Sequence, residues 1–138
     1  MQYKCVAYTS LAALDLDERQ LLDIHAAARD LNGIDGITGL LIFNGTHFLQ
    51  WIEGPPQAID DLVERLRRDP RHTAFELREE HFADERLFGD WSMELVRVRG
   101  RVLAAREDLD RALPPDLPDS VRERIAVMGE RVSAELRL

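Results

Sequence analysis

Two apolar runs that meet at Asn44-Gly45 constrain this chain more than any other feature. Asn-Gly is the strongest short hairpin signal, because both residues tolerate the left-handed conformations of tight turns. The first run, Ile37 to Phe43, is apolar on both faces and reads as a central strand. The return run, Thr46 to Glu53, alternates: Phe48, Gln50 and Ile52 share one face, Leu49 and Trp51 the other. Gln50 is the anomaly. A buried amide left unpaired costs ~1–3 kcal/mol, since it carries two N–H donors and an acceptor. Something polar must meet it inside the fold, either a neighbouring side chain or a bound ligand.

The flanking sequence supplies the other layers. Residues 3 to 9 alternate as a first strand, with Lys4, Val6 and Tyr8 on one face and Cys5 and Ala7 on the other. Asp15 or Asp17 can cap a helix whose stripe is Leu21, Ile24, His25, Ala28 and Leu31, with Asn32-Gly33 as its end. Gly54-Pro55-Pro56 opens a second helix with inner positions Ile59, Leu62, Val63 and Leu66, stopped by Asp69-Pro70. Residues 74–82 and 91–98 read as two more strands. After Pro114, Pro115 and Pro118, Ser120 and Glu123 spell a capping box for a terminal helix with the stripe Val121, Ile125, Met128, Val132 and Leu136. The fold class expected is α+β: a ferredoxin-like βαββαβ(β) mixed sheet, two helices on one face. C-terminal helices cap the other face, or meet a partner chain instead.

Composition narrows the function classes. The 138 residues fit one domain, and a net charge of −8 argues against binding a phosphate backbone, so no nucleic-acid partner is expected. Arg65, Arg67, Arg68 and Arg71 cluster, but a solvated helix face accounts for them. A single cysteine, Cys5, suits a reducing cytoplasm and reads as a small core residue. No apolar stretch approaches the ~18 residues of a membrane span, and no secretory signal is evident, so the expected location is cytoplasmic.

Enzyme chemistry finds little support. His25, His47, His72 and His81 are scattered without paired metal-ligand spacing; His25 shares a helix stripe and the others read as exposed. Asp60-Asp61 and Glu79-Glu80 diverge as sequence neighbours, no serine sits in a glycine-flanked elbow, and Gly33, Gly36 and Gly39 do not open a helix. What remains is a polar set inside apolar elements: Tyr8, Asn32 and Gln50. In a ferredoxin-like sheet the first and third strands are neighbours, which sets Tyr8 beside Gln50 under the two helices. They either satisfy each other or line a cleft for a flat, polar-edged ligand.

Five motifs add to this reading: Tyr8-Thr9-Ser10, Gly36-Ile37-Thr38-Gly39-Leu40-Leu41, Phe48-Leu49-Gln50-Trp51-Ile52-Glu53-Gly54, Asp69-Pro70-Arg71-His72 and Asp90-Trp91-Ser92-Met93. Together, in this order, they resemble the motifs of BLUF domains, blue-light sensors that use FAD. The resemblance covers roughly residues 2 to 98. It implies a flavin-binding domain at 1–98 and a C-terminal helical cap or output extension at 99–138. It also implies FAD held noncovalently between the two helices, with Gln50 as the switching glutamine and Tyr8 beside it. Asn32 would hold the pyrimidine end of the ring, Ile24 and Leu66 would flank it, and Arg65, Arg68 and Asp69 would lie toward the ribityl-phosphate chain. Trp91 and Met93 fall at positions linked to signalling, whereas Leu31 departs from the polar residue many relatives carry.

By this resemblance, light drives electron and proton transfer from Tyr8 through Gln50 and leaves a rearranged hydrogen-bond network. The signal passes through the last strand and C-terminal helices to a separate protein partner, in a homo-oligomer without an attached effector domain and without enzyme activity of its own. The competing reading is a flavin-free ferredoxin-like module that dimerises or binds another small ligand. An acylphosphatase-like enzyme has a similar topology, but the anion-binding loop it needs is missing.

Overall fold

A computed structural model of the protein describes residues 2–89, 92–97, 107 and 110–134, with side chains for all of these except 31, 32 and 129–134. The elements run β1 (Tyr3–Ala12), α1 (Glu18–Ile34), β2 (Thr38–Phe43), β3 (His47–Gly54), α2 (Pro56–Arg68), β4 (His72–Ala83), β5 (Ser92–Arg97) and α3 (Asp119–Ala134). The strands form one sheet in the order β4-β1-β3-β2-β5. β5 runs parallel to β2 and the other pairings are antiparallel, so the sheet is mixed and ferredoxin-like. The expected boundary at 98/99 lies outside the described residues.

Alternation along β3 decides where the two cores form. Phe48 and Ile52 join Val6, Leu41, Leu21, Ile59 and Leu62 between the sheet and the pair α1 and α2. Leu49 and Trp51 face the other way, into a second core with Leu40, Ile42, Val121, Ile125 and Met128. α3 therefore covers the second face of its own sheet, its apolar residues spaced on one helix stripe. Each fully buried aliphatic contributes ~1.5–3 kcal/mol, so both layers stabilise the sheet between them.

Local signals hold with three shifts. Asp17 and Gln20 cap α1 reciprocally, with backbone-to-side-chain bonds of 2.8 and 2.9 Å. α1 does not stop at Asn32-Gly33; it continues to Ile34, and the left-handed residue is Gly36 at φ 74°, whose N–H reaches the Gly33 carbonyl. A helical glycine costs only ~1 kcal/mol, which further helical bonds offset. The hairpin turn centres on Gly45-Thr46, because Asn44 acts as its side-chain cap, accepting the N–H groups of Thr46 and His47. α3 begins one residue before Ser120, with the Pro118 carbonyl accepting from Val121 and Arg122, so Ser120 lies in the first turn and not at the cap. Among the described residues, no helix is long and apolar enough to cross a membrane.

Candidate functional site

β1 and β3 pair so that Tyr8 lies opposite Gln50. The Tyr8 hydroxyl donates to Gln50 Oε1 at 2.5 Å, and both residues are only 3% exposed. With its carbonyl end taken by the phenol, the amide turns Nε2 toward Met93 Sδ at 3.1 Å. A thioether is a weak acceptor and the amide has a second N–H, so donor capacity is left for a ligand. Burial first, and then the negative charge of Asp69, push the Tyr8 pKa well above its ordinary value. The phenol therefore keeps its proton at neutral pH.

Met93 reaches Gln50 through an irregular backbone. Gly39 pairs with Ser92 and Leu40 with Glu94, so Met93 is the extra residue of a bulge in β5. Its φ is 59°, a left-handed value that costs a non-glycine residue ~1–3 kcal/mol. The His25 ring nitrogen Nε2 lies 2.8 Å from the Met93 carbonyl oxygen and donates to it. Opposite the bulge, Gly39 has φ 148°, and a Cβ there would stand 1.9 Å from the Trp51 carbonyl oxygen. That close approach explains the second glycine of the Gly36-to-Leu41 motif.

The Tyr8–Gln50 pair lies at the floor of a cavity of about 220 Å³ between the sheet and the helices. Leu41 and Phe48 extend the floor, Ile24, Ala27 and Ala28 of α1 form one wall, and Leu62 and Leu66 of α2 the other. Arg65 near the end of α2, Asp69 and Arg71 in the turn after it, and His72 at the start of β4 complete the lining. The space is below the ~300–1,000 Å³ of pockets that enclose a whole drug-sized ligand. It suits a flat ring inserted over Gln50, with a polar tail left toward the half-exposed Arg65 and Arg71.

Asp69 and Arg71 form a bidentate pair at 2.6–3.1 Å, and that guanidinium holds the Asp69 carboxyl below the usual range. His72 is half-buried, contrary to its expected exposure: Nε2 donates to the Leu66 carbonyl at 2.6 Å, and Nδ1 meets Ser10 Oγ at 2.7 Å. Phe75 stacks on Tyr8 with ring centroids 4.5 Å apart, and Arg67 lies over Phe75. On the far face, buried Glu53 accepts the N–H groups of Leu87 and Phe88 and the Cys5 thiol. Burial and the Glu53 charge push that thiol up to about 12. Cys5 is a core residue.

Of the residues expected at the site, Tyr8, Ile24, Gln50, Arg65, Leu66 and Asp69 converge on the cavity, and Met93 touches it through Gln50. Arg68 is not brought there: it is exposed and faces Glu64. Trp91 and the side chain of Asn32 lie outside the described residues. Three residues not expected at the site also line or brace it: His25, read as part of an apolar stripe, Arg71, read as solvated, and His72, read as exposed. The first has a readable signal, since an imidazole in the apolar stripe Leu21, Ile24, Ala28 poses the same question as Gln50. Arg71 and His72 stand inside a quoted motif, yet only the fold shows that they turn inward.

Residues 3–94 match the family model described as BLUF, sensors of blue-light using FAD. The chain is 31% identical over 106 residues to the blue light- and temperature-regulated antirepressor BluF of Escherichia coli (strain K12). That alignment takes in 77% of this chain and 26% of the relative, so the chain spans about a quarter of that protein's length. Among solved structures it is similar to BlrB, a BLUF protein in its dark state, with 34% identity, 97% of each chain covered and a TM-score of 0.71. It is also similar to Klebsiella pneumoniae BlrP1 with FMN and cyclic diGMP, at 25% identity and a TM-score of 0.65 over 88% of this chain and 30% of that one.

Proposed function

The chain belongs to the BLUF family of blue-light sensors that use flavin, and on that premise we propose that Tyr8 and Gln50 are its photoactive pair. The observation that carries this is the 2.5 Å bond from the Tyr8 hydroxyl to Gln50 Oε1 on the floor of the cavity. We propose FAD as the flavin, its ring over Gln50 between Ile24 and Leu66, with Arg65 and Arg71 toward its phosphates. The apolar walls, the spare amide N–H and the basic mouth all fit that group. Asn32 is proposed to hold the ring's polar edge from α1, and Trp91 to act with Met93 in output. Arg68 is proposed as an outer contact only, since its charge faces solvent.

Bound flavin supplies blue-light absorption and, once excited, a site that takes up an electron. The protein's part is to deliver an electron and a proton on one path and to take both back. Tyr8 is the donor: its phenol is fully protonated, stacked on Phe75 and shielded from water. The nearby Asp69 charge eases loss of an electron from the ring. Its proton moves from Oη to Gln50 Oε1, the atom to which the hydroxyl donates. Gln50 would relay it by giving up a proton from Nε2 toward the bound ring that has taken the electron. When Tyr8 recovers its electron and proton, the amide is left turned or tautomerised, with donor and acceptor ends exchanged.

The exchange is read by Met93 and β5, and from there by the C-terminal extension, proposed as residues 99–138. We place the protein in a reducing cytoplasm, where a buried, unpaired Cys5 is at home. It acts there as a sensor, associates with further copies of itself and signals to a separate protein partner. Cofactor released from purified protein by denaturation tests the flavin assignment: chromatography should recover FAD, and recovery of FMN alone would contradict it. Tyr8→Phe should keep the flavin and lose the reversible light-induced red shift.

A further inference from the structure

The strained carbonyl of Met93 is held by one side chain that the light reaction does not use. His25 projects from α1, across the helix–sheet interface, and its Nε2 lies 2.8 Å from that oxygen. The oxygen belongs to the bulged, left-handed residue whose thioether faces Gln50 Nε2. Irregular backbone of this kind persists only where its surroundings over-determine it. A second tie joins the same two elements, since Arg97 at the end of β5 pairs with Glu18 at the start of α1.

We propose that His25 is a positioning residue that fixes Met93 against Gln50 and thereby sets how long the light state lasts. The inference rests on the Tyr8–Gln50 reading above. Its logic is donor and acceptor matching. In the arrangement described, an amide N–H meets the sulfur, which accepts. Once donor and acceptor ends exchange, Gln50 presents a lone pair to a sulfur that has no proton to give. Met93 would relieve that mismatch by withdrawing, but the bond to His25 holds its backbone in place. The mismatch therefore persists and drives the return. Without His25, Met93 withdraws, the light state is relieved and recovery slows. Either neutral Nε2–H or charged imidazole donates this bond, so the clamp needs no particular protonation state.

The test is a double-mutant cycle on the dark-recovery rate of the red-shifted absorption in flavin-loaded protein. His25→Leu should lengthen the light-state lifetime roughly tenfold, the factor that ~1.4 kcal/mol represents. His25→Gln, which can still present an N–H to the carbonyl, should return it to within about twofold of the parent. In a Met93→Ala background the same His25→Leu change should leave recovery within about twofold of the Met93→Ala single variant, because His25 acts through Met93. A generally looser fold would slow both backgrounds alike, and that result overturns the proposal. So does a His25→Leu lifetime within about twofold of the parent, or one that is shorter. If His25→Leu fails to retain flavin, His25→Asn, whose amide falls short of the carbonyl, carries the same expectations. The two readings fail separately: a parent protein with no red shift removes the Tyr8–Gln50 assignment, and a shifting parent with an insensitive His25→Leu removes only the clamp.

Discussion

Tyr8 and Gln50 are buried together, and their burial does chemical work in two directions. It excludes water that would compete for the bond between Oη and Oε1, and it keeps the phenol neutral. The same physics governs Cys5, whose thiol is raised from its ordinary 9.0 to about 12. A group raised in the folded state contributes stability that is whole below its unfolded pKa and is lost as pH climbs toward the folded one. The Cys5 contribution is thus complete below pH 9.0 and declines from there toward about 12, with that of Tyr8 declining from 10.0 upward. Thermal melts should show a falling midpoint above pH 9.0, and Cys5→Ala should move the onset toward 10.0. An onset unaffected by Cys5→Ala would contradict this. Gln50 was legible as a buried amide because it interrupts a period-2 pattern. His72 was not, because its partners Ser10 and the Leu66 carbonyl come from other elements, and nothing local marks an imidazole as turned inward.

At the scale of elements, the site is set by how β5 joins the sheet. A bulge at Met93 and a glycine at 39 are complementary irregularities: one adds a residue, the other removes a side chain where strands crowd. The strands themselves could be read from alternation and the hairpin from its turn residues. The bulge could not, since it arises from pairing between β2 and β5, which are far apart in sequence. The helix ends shifted for a related reason, tertiary contacts deciding which of several glycines or polar residues closes each helix. α3 was expected from its stripe, and its placement on the second sheet face follows from Leu49 and Trp51 needing cover. Ile125 is fully buried there, so Ile125→Ala should destabilise the fold by ~2–5 kcal/mol in urea melts. A loss near zero would mean that α3 does not pack on this sheet in solution.

For the whole molecule, one sheet separates the cavity from the terminal helix. The cavity, α1 and α2 lie on one face and α3 on the other, and adjacent residues of β3, Gln50 and Trp51, point to opposite sides. A change at Gln50 of the kind proposed would reach the α3 face through the neighbouring residue of the same strand, Trp51. The sheet with helices on both faces and the amide's anomaly were within reach of sequence patterning, whereas the flavin entered only by resemblance to a family, since no composition or spacing specifies an isoalloxazine ring. The most direct test is the light-minus-dark absorption difference of flavin-loaded parent protein beside Gln50→Leu. The parent should shift to the red under blue light and relax in the dark, and Gln50→Leu should hold its flavin and show no such shift. A reversible red shift that survives in Gln50→Leu would contradict the role assigned to this amide.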